Sequence, residues 1–252
     1  MNASILVFNW KSNPESISDA LALAGAVERA LSRARGVRAI IAPPHPFLHC
    51  VGKKVKRAFL GAQDSFWDSG PYTGEVSAEE LKAVGVRYCI LGHSERRIHQ
   101  GETDEVIKRK VAAVIKHGIA PILCVGERER HGRDIPAIVG EQIRVAVGGL
   151  SSGAVSKILI AYEPVWTIST MPGARPDDPE SAFRAKMYIR RVLGDMVGRK
   201  KAERVPILYG GSVSPANIKG FLQGGEMDGA LVGSAGLDRQ KLARIIRIAA
   251  SC

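Results

Sequence analysis

The chain has 252 residues, of which 45% are hydrophobic and 24% charged, and its formal net charge is +11. That is enough chain to bury a full core and matches the roughly 250 residues usual for one (β/α)8 barrel, so one domain over residues 1–252 is expected. No apolar run approaches a membrane span, and Met1 to Asn9 reads as a first strand, not as a signal peptide. The pattern then alternates short β-branched runs with longer helical ones. Strands are expected over Ile5 to Phe8, Val37 to Ala42, Ala58 to Ala62, Tyr88 to Leu91, Ile119 to Val125, Lys157 to Tyr162, Val205 to Tyr209 and Gly229 to Val232. Helical periodicity covers Ser16 to Ala34, Thr103 to His117, Pro179 to Gly198 and Asp238 to Ala249, with Ser or Asp caps at the first and last.

Eight βα units without a composition break predict an α/β fold, a closed (β/α)8 barrel of eight parallel strands with outer helices. A doubly wound open sheet is the alternative. The first βα turn, Asn9-Trp10-Lys11, lacks the glycine-rich dinucleotide fingerprint that such a sheet would carry there. Two connections are longer than a barrel needs. The Asp64 to Glu75 segment carries three aromatics and reads as a protruding contact arm. The Trp166 to Pro176 segment reads as a lid.

The net charge requires a nucleic-acid surface to be weighed. The basic groups Lys53 to Arg57, Lys108-Arg109-Lys110 and Arg199-Lys200-Lys201 fall on separate predicted helices or helix ends, which favours a field that concentrates anionic metabolites. Cys50, Cys89, Cys124 and Cys252 have no metal-type spacing and read as small thiols in a reducing cytosol.

Candidate chemistry collects where the strands end. Asn9 and Lys11 follow the first strand, His93 the fourth, Glu163 the sixth and Gly210-Gly211-Ser212 the seventh. In a parallel barrel that is the face on which active sites are built. Glu163 ends an apolar run abruptly and is followed by a proline, so it is a carboxylate delivered to a sheet edge. A carboxylate base facing an imidazole that polarises an oxygen is the minimum equipment for aldose–ketose isomerisation without a metal. Gly210-Gly211-Ser212 and Gly233-Ser234-Ala235 offer backbone N–H groups as an anion cradle. Each has a plainer reading: a helix entry capped by Ser94, a surface lysine, a tight turn.

Taken together, Asn9-Trp10-Lys11, Gly61-Ala62-Gln63, Tyr72-Thr73-Gly74-Glu75, Gly92 to Arg97, Cys124-Val125-Gly126-Glu127, Ala161 to Trp166 and Tyr209 to Val213 resemble the triosephosphate isomerase family, in order and from first strand to last. The resemblance implies a homodimeric, cytoplasmic TIM barrel of glycolysis and gluconeogenesis that interconverts dihydroxyacetone phosphate and D-glyceraldehyde 3-phosphate. It implies no cofactor and no metal, no nucleic acid and no membrane. By resemblance Glu163 is the base, His93 the neutral electrophile, Lys11 the cation and Asn9 a polar contact, with Glu95 and Cys124 behind them. Ser169, Met171, Gly210, Gly211, Ser212, Gly233 and Ser234 would meet the substrate phosphate. Tyr72, Thr73, Gly74 and Glu75 would meet the second subunit. The lid departs from the family: Thr167-Ile168-Ser169-Thr170-Met171-Pro172-Gly173-Ala174 stands where Ala-Ile-Gly-Thr-Gly-Lys-Thr-Ala is usual, and Gly233-Ser234 replaces two glycines. Pro172-Gly173 suits the middle of a type II turn. An isomerase for another small phosphosugar, a barrel that has lost catalysis, and a nucleic-acid-binding barrel are the alternatives.

Overall fold

The structure, a computed structural model, describes residues 3–168 and 173–252. Eight parallel strands, β1 (Ser4–Asn9), β2 (Val37–Ala42), β3 (Phe59–Ala62), β4 (Tyr88–Leu91), β5 (Ala120–Val125), β6 (Leu159–Tyr162), β7 (Ile207–Tyr209) and β8 (Gly229–Val232), close into a barrel in sequence order. Closure is made by β1 against β8, with Ile5 opposite Gly229 and Phe8 opposite Val232. Around them lie α1 (Ile17–Leu31), α2 (Leu48–Lys54), α3 (Ala78–Ala83), α4 (Ser94–His99), α5 (Asp104–Lys116), α6 (Ala137–Val147), α7 (Ser152–Val155), α8 (Pro179–Val197), α9 (Arg199–Ala202), α10 (Ile218–Gln223) and α11 (Arg239–Ala250). None of the helices among the described residues is long and apolar enough to cross a membrane.

The nearly continuous apolar strands follow from burial on both faces. One set of alternating residues, among them Val7, Ile40, Ile90, Ile122 and Leu208, fills the barrel interior. The other set, including Leu6, Phe8, Leu91 and Tyr162, packs outward against the helices. Each such aliphatic side chain contributes about 1.5–3 kcal/mol by leaving water.

Several helices start where a side-chain acceptor is available for their first N–H groups. Ser16 Oγ accepts from Asp19 N at 3.1 Å, Thr103 Oγ1 from Val106 N at 3.4 Å, and Asp178 Oδ1 from Ser181 N at 2.8 Å. At α4 the expected cap is displaced by one residue. His93 is the N-cap and Ser94 is the first helical residue, because the imidazole Nδ1 takes the Glu95 N–H at 3.3 Å.

Charge placement differs from the sequence reading at one cluster. Lys110 does not extend an exposed basic group with Lys108 and Arg109, since it is 3% exposed and lies among carboxylates. Its Nζ donates to Asp64 Oδ1 and Oδ2 at 2.8 and 2.7 Å and also to Glu102 Oε1. Burial pushes the Asp64 carboxyl up, against the opposing pull of Lys110 and Arg96.

The arm after β3 leaves the barrel at Phe66, whose N–H donates to Val76 O at 2.8 Å. Phe66 stacks on Trp67 at 3.9 Å between ring centroids and leans on Tyr72 at 4.7 Å. Its aromatics therefore cover one another in part, while Tyr72, Thr73, Gly74 and Glu75 are exposed.

Candidate active site

The strand ends bring Asn9, Lys11, His93, Gly210, Gly211 and Ser212 to one cavity of about 490 Å3, which Gly233 and Ser234 also line. That volume and its mix of backbone N–H and charged groups suit a small polar ligand. Ser169 and Met171 lie outside the described residues. Thr73 and its neighbours on the arm are not brought to this cavity.

Lys11 takes a left-handed conformation, φ 53°, which a residue with a Cβ adopts only when its surroundings hold it there. Asn9 Oδ1 accepts the Lys11 N–H at 3.0 Å, and Gln63 Nε2 donates to Lys11 O at 2.7 Å and to Ala42 O at 2.9 Å. Asn9 and Gln63 thus aim the lysine. Its ammonium donates to Glu95 Oε1, a carboxylate presented by the first turn of α4.

His93 is 7% exposed at the N-terminus of α4. Since Nδ1 accepts the Glu95 N–H, the hydrogen-bond pattern assigns the ring proton to Nε2, which makes Nε2 a donor and the ring neutral. Nε2 lies 3.3 Å from Glu163 Oε1.

Glu163, 2% exposed, follows β6 directly. Its Oε2 accepts the Ser94 N–H at 2.9 Å, whereas Oε1 has no hydrogen-bond partner among the described residues. The carboxylate lines a neighbouring cleft of about 550 Å3, with Ser94, Arg97, Cys124 and Val165, and not the mouth cavity itself. Cys124 adjoins the same carboxylate; burial first, then the Glu163 charge, pushes its thiol well up, so it stays protonated and is not a nucleophile.

The glycines here serve close approach. A Cβ on Gly210 would stand 2.8 Å from Glu163 Cγ, and one on Gly211 would stand 2.4 Å from Tyr209 Oη and 2.5 Å from Thr167 Oγ1. Ser234, where the family has a second glycine, begins a 3-10 turn (Ser234–Leu237) and is not among the residues with positive φ. Its side chain needs no special backbone. In the lid, Gly173 has φ 71°, the value a type II turn requires at its third position.

Glu127 and Arg130, for which the sequence alone indicated no role, join Arg175 at the two ends of the segment expected to form a lid. Glu127 is 2% exposed and its Oε1 accepts from Arg130 Nη2 at 2.7 Å, Tyr162 Oη at 2.9 Å and Trp166 Nε1 at 3.0 Å. The Arg175 N–H donates to Trp166 O at 3.1 Å, joining the end of the lid to its beginning, and the Arg175 guanidinium stands 4.8 Å over the Trp166 ring. Ser212 Oγ donates to Thr167 O at 2.7 Å, tying the lid to the glycine-rich loop after β7. A glutamate at the end of the β5 run was the available signal for this cluster.

A closed (β/α)8 barrel with a carboxylate, a neutral imidazole donor and an ammonium at the C-terminal ends of its strands defines an acid–base enzyme of the barrel class. The chain belongs to the triosephosphate isomerase family, whose family model matches residues 4–249. It is 40% identical to the triosephosphate isomerase of Caldanaerobacter subterraneus subsp. tengcongensis, over 98% of this chain and 99% of the relative. It is likewise 40% identical to that of Dehalococcoides mccartyi, over 99% and 98%, and 39% identical to that of Clostridium botulinum, over 98% and 99%.

Proposed function

We propose that this chain interconverts dihydroxyacetone phosphate and D-glyceraldehyde 3-phosphate by proton transfer through an enediolate, acting as a single (β/α)8 domain over residues 1–252. The observation that carries this is Glu163, a buried carboxylate with an unpartnered Oε1 facing the donor nitrogen of His93. In the forward step Glu163 removes a proton from one carbon of the triose. The electron pair of that C–H bond forms the C=C bond of the enediolate, and the carbonyl oxygen takes the negative charge. His93 Nε2–H gives its proton to that oxygen and takes the proton of the neighbouring hydroxyl, the Lys11 ammonium stabilising the charge, so that when Glu163 returns its proton to the adjacent carbon the second oxygen becomes the new carbonyl. No bond in this sequence is oxidised or reduced overall, so the chemistry calls for no redox partner.

The phosphate would be held by the N–H groups of Gly211, Ser212, Gly233 and Ser234 and, from the lid, of Ser169 and Met171, the Gly210 N–H being taken by Tyr162 O at 2.7 Å. To act on substrate at the mouth, Glu163 must leave the Ser94 N–H, and lid closure is the movement that would bring it round. Gly210 leaves space beside Glu163 Cγ for that rotation. The exposed arm residues Tyr72, Thr73, Gly74 and Glu75 are the proposed contact with a second copy in a cytoplasmic homodimer.

The test is a coupled assay with D-glyceraldehyde 3-phosphate on purified protein, with and without chelator. Turnover unaffected by chelator is expected. A folded protein that does not isomerise either triose phosphate would overturn the assignment.

A further inference from the structure

The mouth cavity carries a second lysine that the reaction described above does not use. Lys241 lines the same cavity as Lys11, His93, Ser212 and Ser234, but it comes from the first turn of α11 on the rim after β8. Its position there is set locally. The 3-10 turn Ser234–Leu237 carries the chain outward from β8, and Asp238 then accepts the N–H groups of Gln240 and Lys241 at 2.8 and 2.9 Å, fixing where α11 begins.

The two lysines differ in how their charge is used. Lys11 is paired with Glu95, so much of its field is spent within the site. Lys241 is exposed and forms no ion pair among the described residues. From Arg239 to Ala250 the helix contains no acid, and Arg244 and Arg247 follow Lys241 at three-residue spacing, both exposed. The carboxylate nearest in sequence, Asp238, is committed to the helix N–H groups, which with the Lys241 charge hold it below the usual carboxylate range. A cavity lined by Lys11, the Gly211-Ser212 and Gly233-Ser234 turns and an exposed ammonium at its rim draws in an anion before any directed hydrogen bond forms.

We propose that Lys241 is an electrostatic capture residue for the phosphate end of the substrate, selecting doubly charged phosphosugars at the cavity mouth without taking part in proton transfer. This rests on the proposed function, of which it specifies the substrate's charged end. Its effect belongs in KM and in ionic-strength dependence, because a rim charge in water acts over about 10 Å at 0.1 M salt and over less at higher salt.

The experiment compares wild type with Lys241→Gln, Lys241→Glu and Lys241→Arg at low and high salt. At low ionic strength Lys241→Gln should raise KM for D-glyceraldehyde 3-phosphate about threefold and Lys241→Glu about tenfold, with kcat within twofold of wild type and Lys241→Arg near wild type. The differences should collapse in roughly 0.5 M salt. Calorimetric titration with inorganic phosphate should show affinity falling in the same order. Unchanged KM and phosphate affinity in Lys241→Glu at low salt, or a loss in kcat at unchanged KM, would overturn the proposal. A wild type that binds phosphate without turning over triose phosphate would overturn the function instead, and the phosphate titration of the variants would then decide the case of Lys241.

Discussion

Glu163 Oε2 accepts the backbone N–H of Ser94 at 2.9 Å, which places the candidate base on the N-terminal turn of the same helix that His93 caps. The helix end therefore holds the carboxylate in place beside the imidazole that caps it. Glu163→Gln preserves the shape and an acceptor for the Ser94 N–H while removing the base. Turnover should fall by roughly 10²–10⁴-fold, with phosphate affinity within about threefold of wild type. A loss of less than tenfold would assign the proton transfer to another group.

Gly210 leaves room for that carboxylate. In Gly210→Ala the new methyl would meet Glu163 Cγ at 2.8 Å and Tyr162 O at 3.1 Å, so it is the glutamate side chain that must move. We expect kcat to fall about 10²-fold through misplacement of the base. Steady-state kinetics on the variant check this, and a kcat within twofold of wild type would show that Glu163 tolerates the displacement.

Much of this architecture was legible in the sequence because burial on both faces makes parallel strands nearly continuous apolar runs. Val37–Ala42, Tyr88–Leu91 and Gly229–Val232 have the expected bounds. The strand at Lys157 begins two residues late, at Leu159, since Lys157 N donates to Ala154 O and Ile158 N to Val155 O at the end of α7. Less legible were interactions between residues distant in sequence. Lys110 reads as a surface lysine until Asp64, 46 positions away, is folded against it. The purpose of Gly210 and Gly211 was equally hidden, because a glycine pair looks the same whether it supplies a turn, N–H groups or clearance for a side chain from another strand.

The Lys110 cluster makes a stability prediction with a definite pH sign. Lys110→Met removes the cation that pulls the Asp64 carboxyl down against burial, leaving Asp64 and Glu102 less compensated. Urea denaturation should show a loss of about 3–5 kcal/mol at neutral pH. With its folded-state carboxyl driven further above the unfolded value, Asp64 in the variant binds a proton more readily folded than unfolded. The deficit should thus be larger at pH 8 and shrink as pH falls and folded Asp64 takes its proton. A deficit that grows toward pH 5 would contradict the raised carboxyl.

The proposed dimer contact is tested at the arm tip. Thr73→Arg puts a long cation at an exposed position on a chain that already carries +11, so it should not disturb the barrel but should weaken association of two like-charged copies. Sedimentation should show wild type as a two-subunit particle and the variant shifted toward monomer, with activity falling in parallel. A fully active wild-type monomer at assay concentration would overturn the contact.

Trp166 reports on the lid because it is held from three directions: its Nε1–H donates to Glu127 Oε1 at 3.0 Å, its carbonyl accepts the Arg175 N–H at 3.1 Å, and its ring lies under the Arg130 and Arg175 guanidinium groups at 5.3 and 4.8 Å. Lid closure cannot move residues 167–175 without changing at least one of these. Ser212, in the loop proposed to hold the phosphate, reaches the same segment through Thr167 O at 2.7 Å, so a phosphate bound there would be linked to the start of the proposed lid. A phosphorylated carboxylate that mimics the enediolate should therefore shift tryptophan emission and protect residues 167–175 from hydrogen exchange, inorganic sulfate doing so more weakly. Trp166→Phe keeps an aromatic ring under the guanidinium groups and removes the single N–H to Glu127, which keeps Arg130 and Tyr162 as donors. The variant should lose about 1 kcal/mol of stability and most of the ligand-induced emission change, although Trp10 and Trp67 continue to fluoresce. Its kcat should fall about three- to tenfold through a less sharply defined hinge. If the emission change persists undiminished in Trp166→Phe, the signal arises at another tryptophan and the hinge at Trp166 does not move with the ligand.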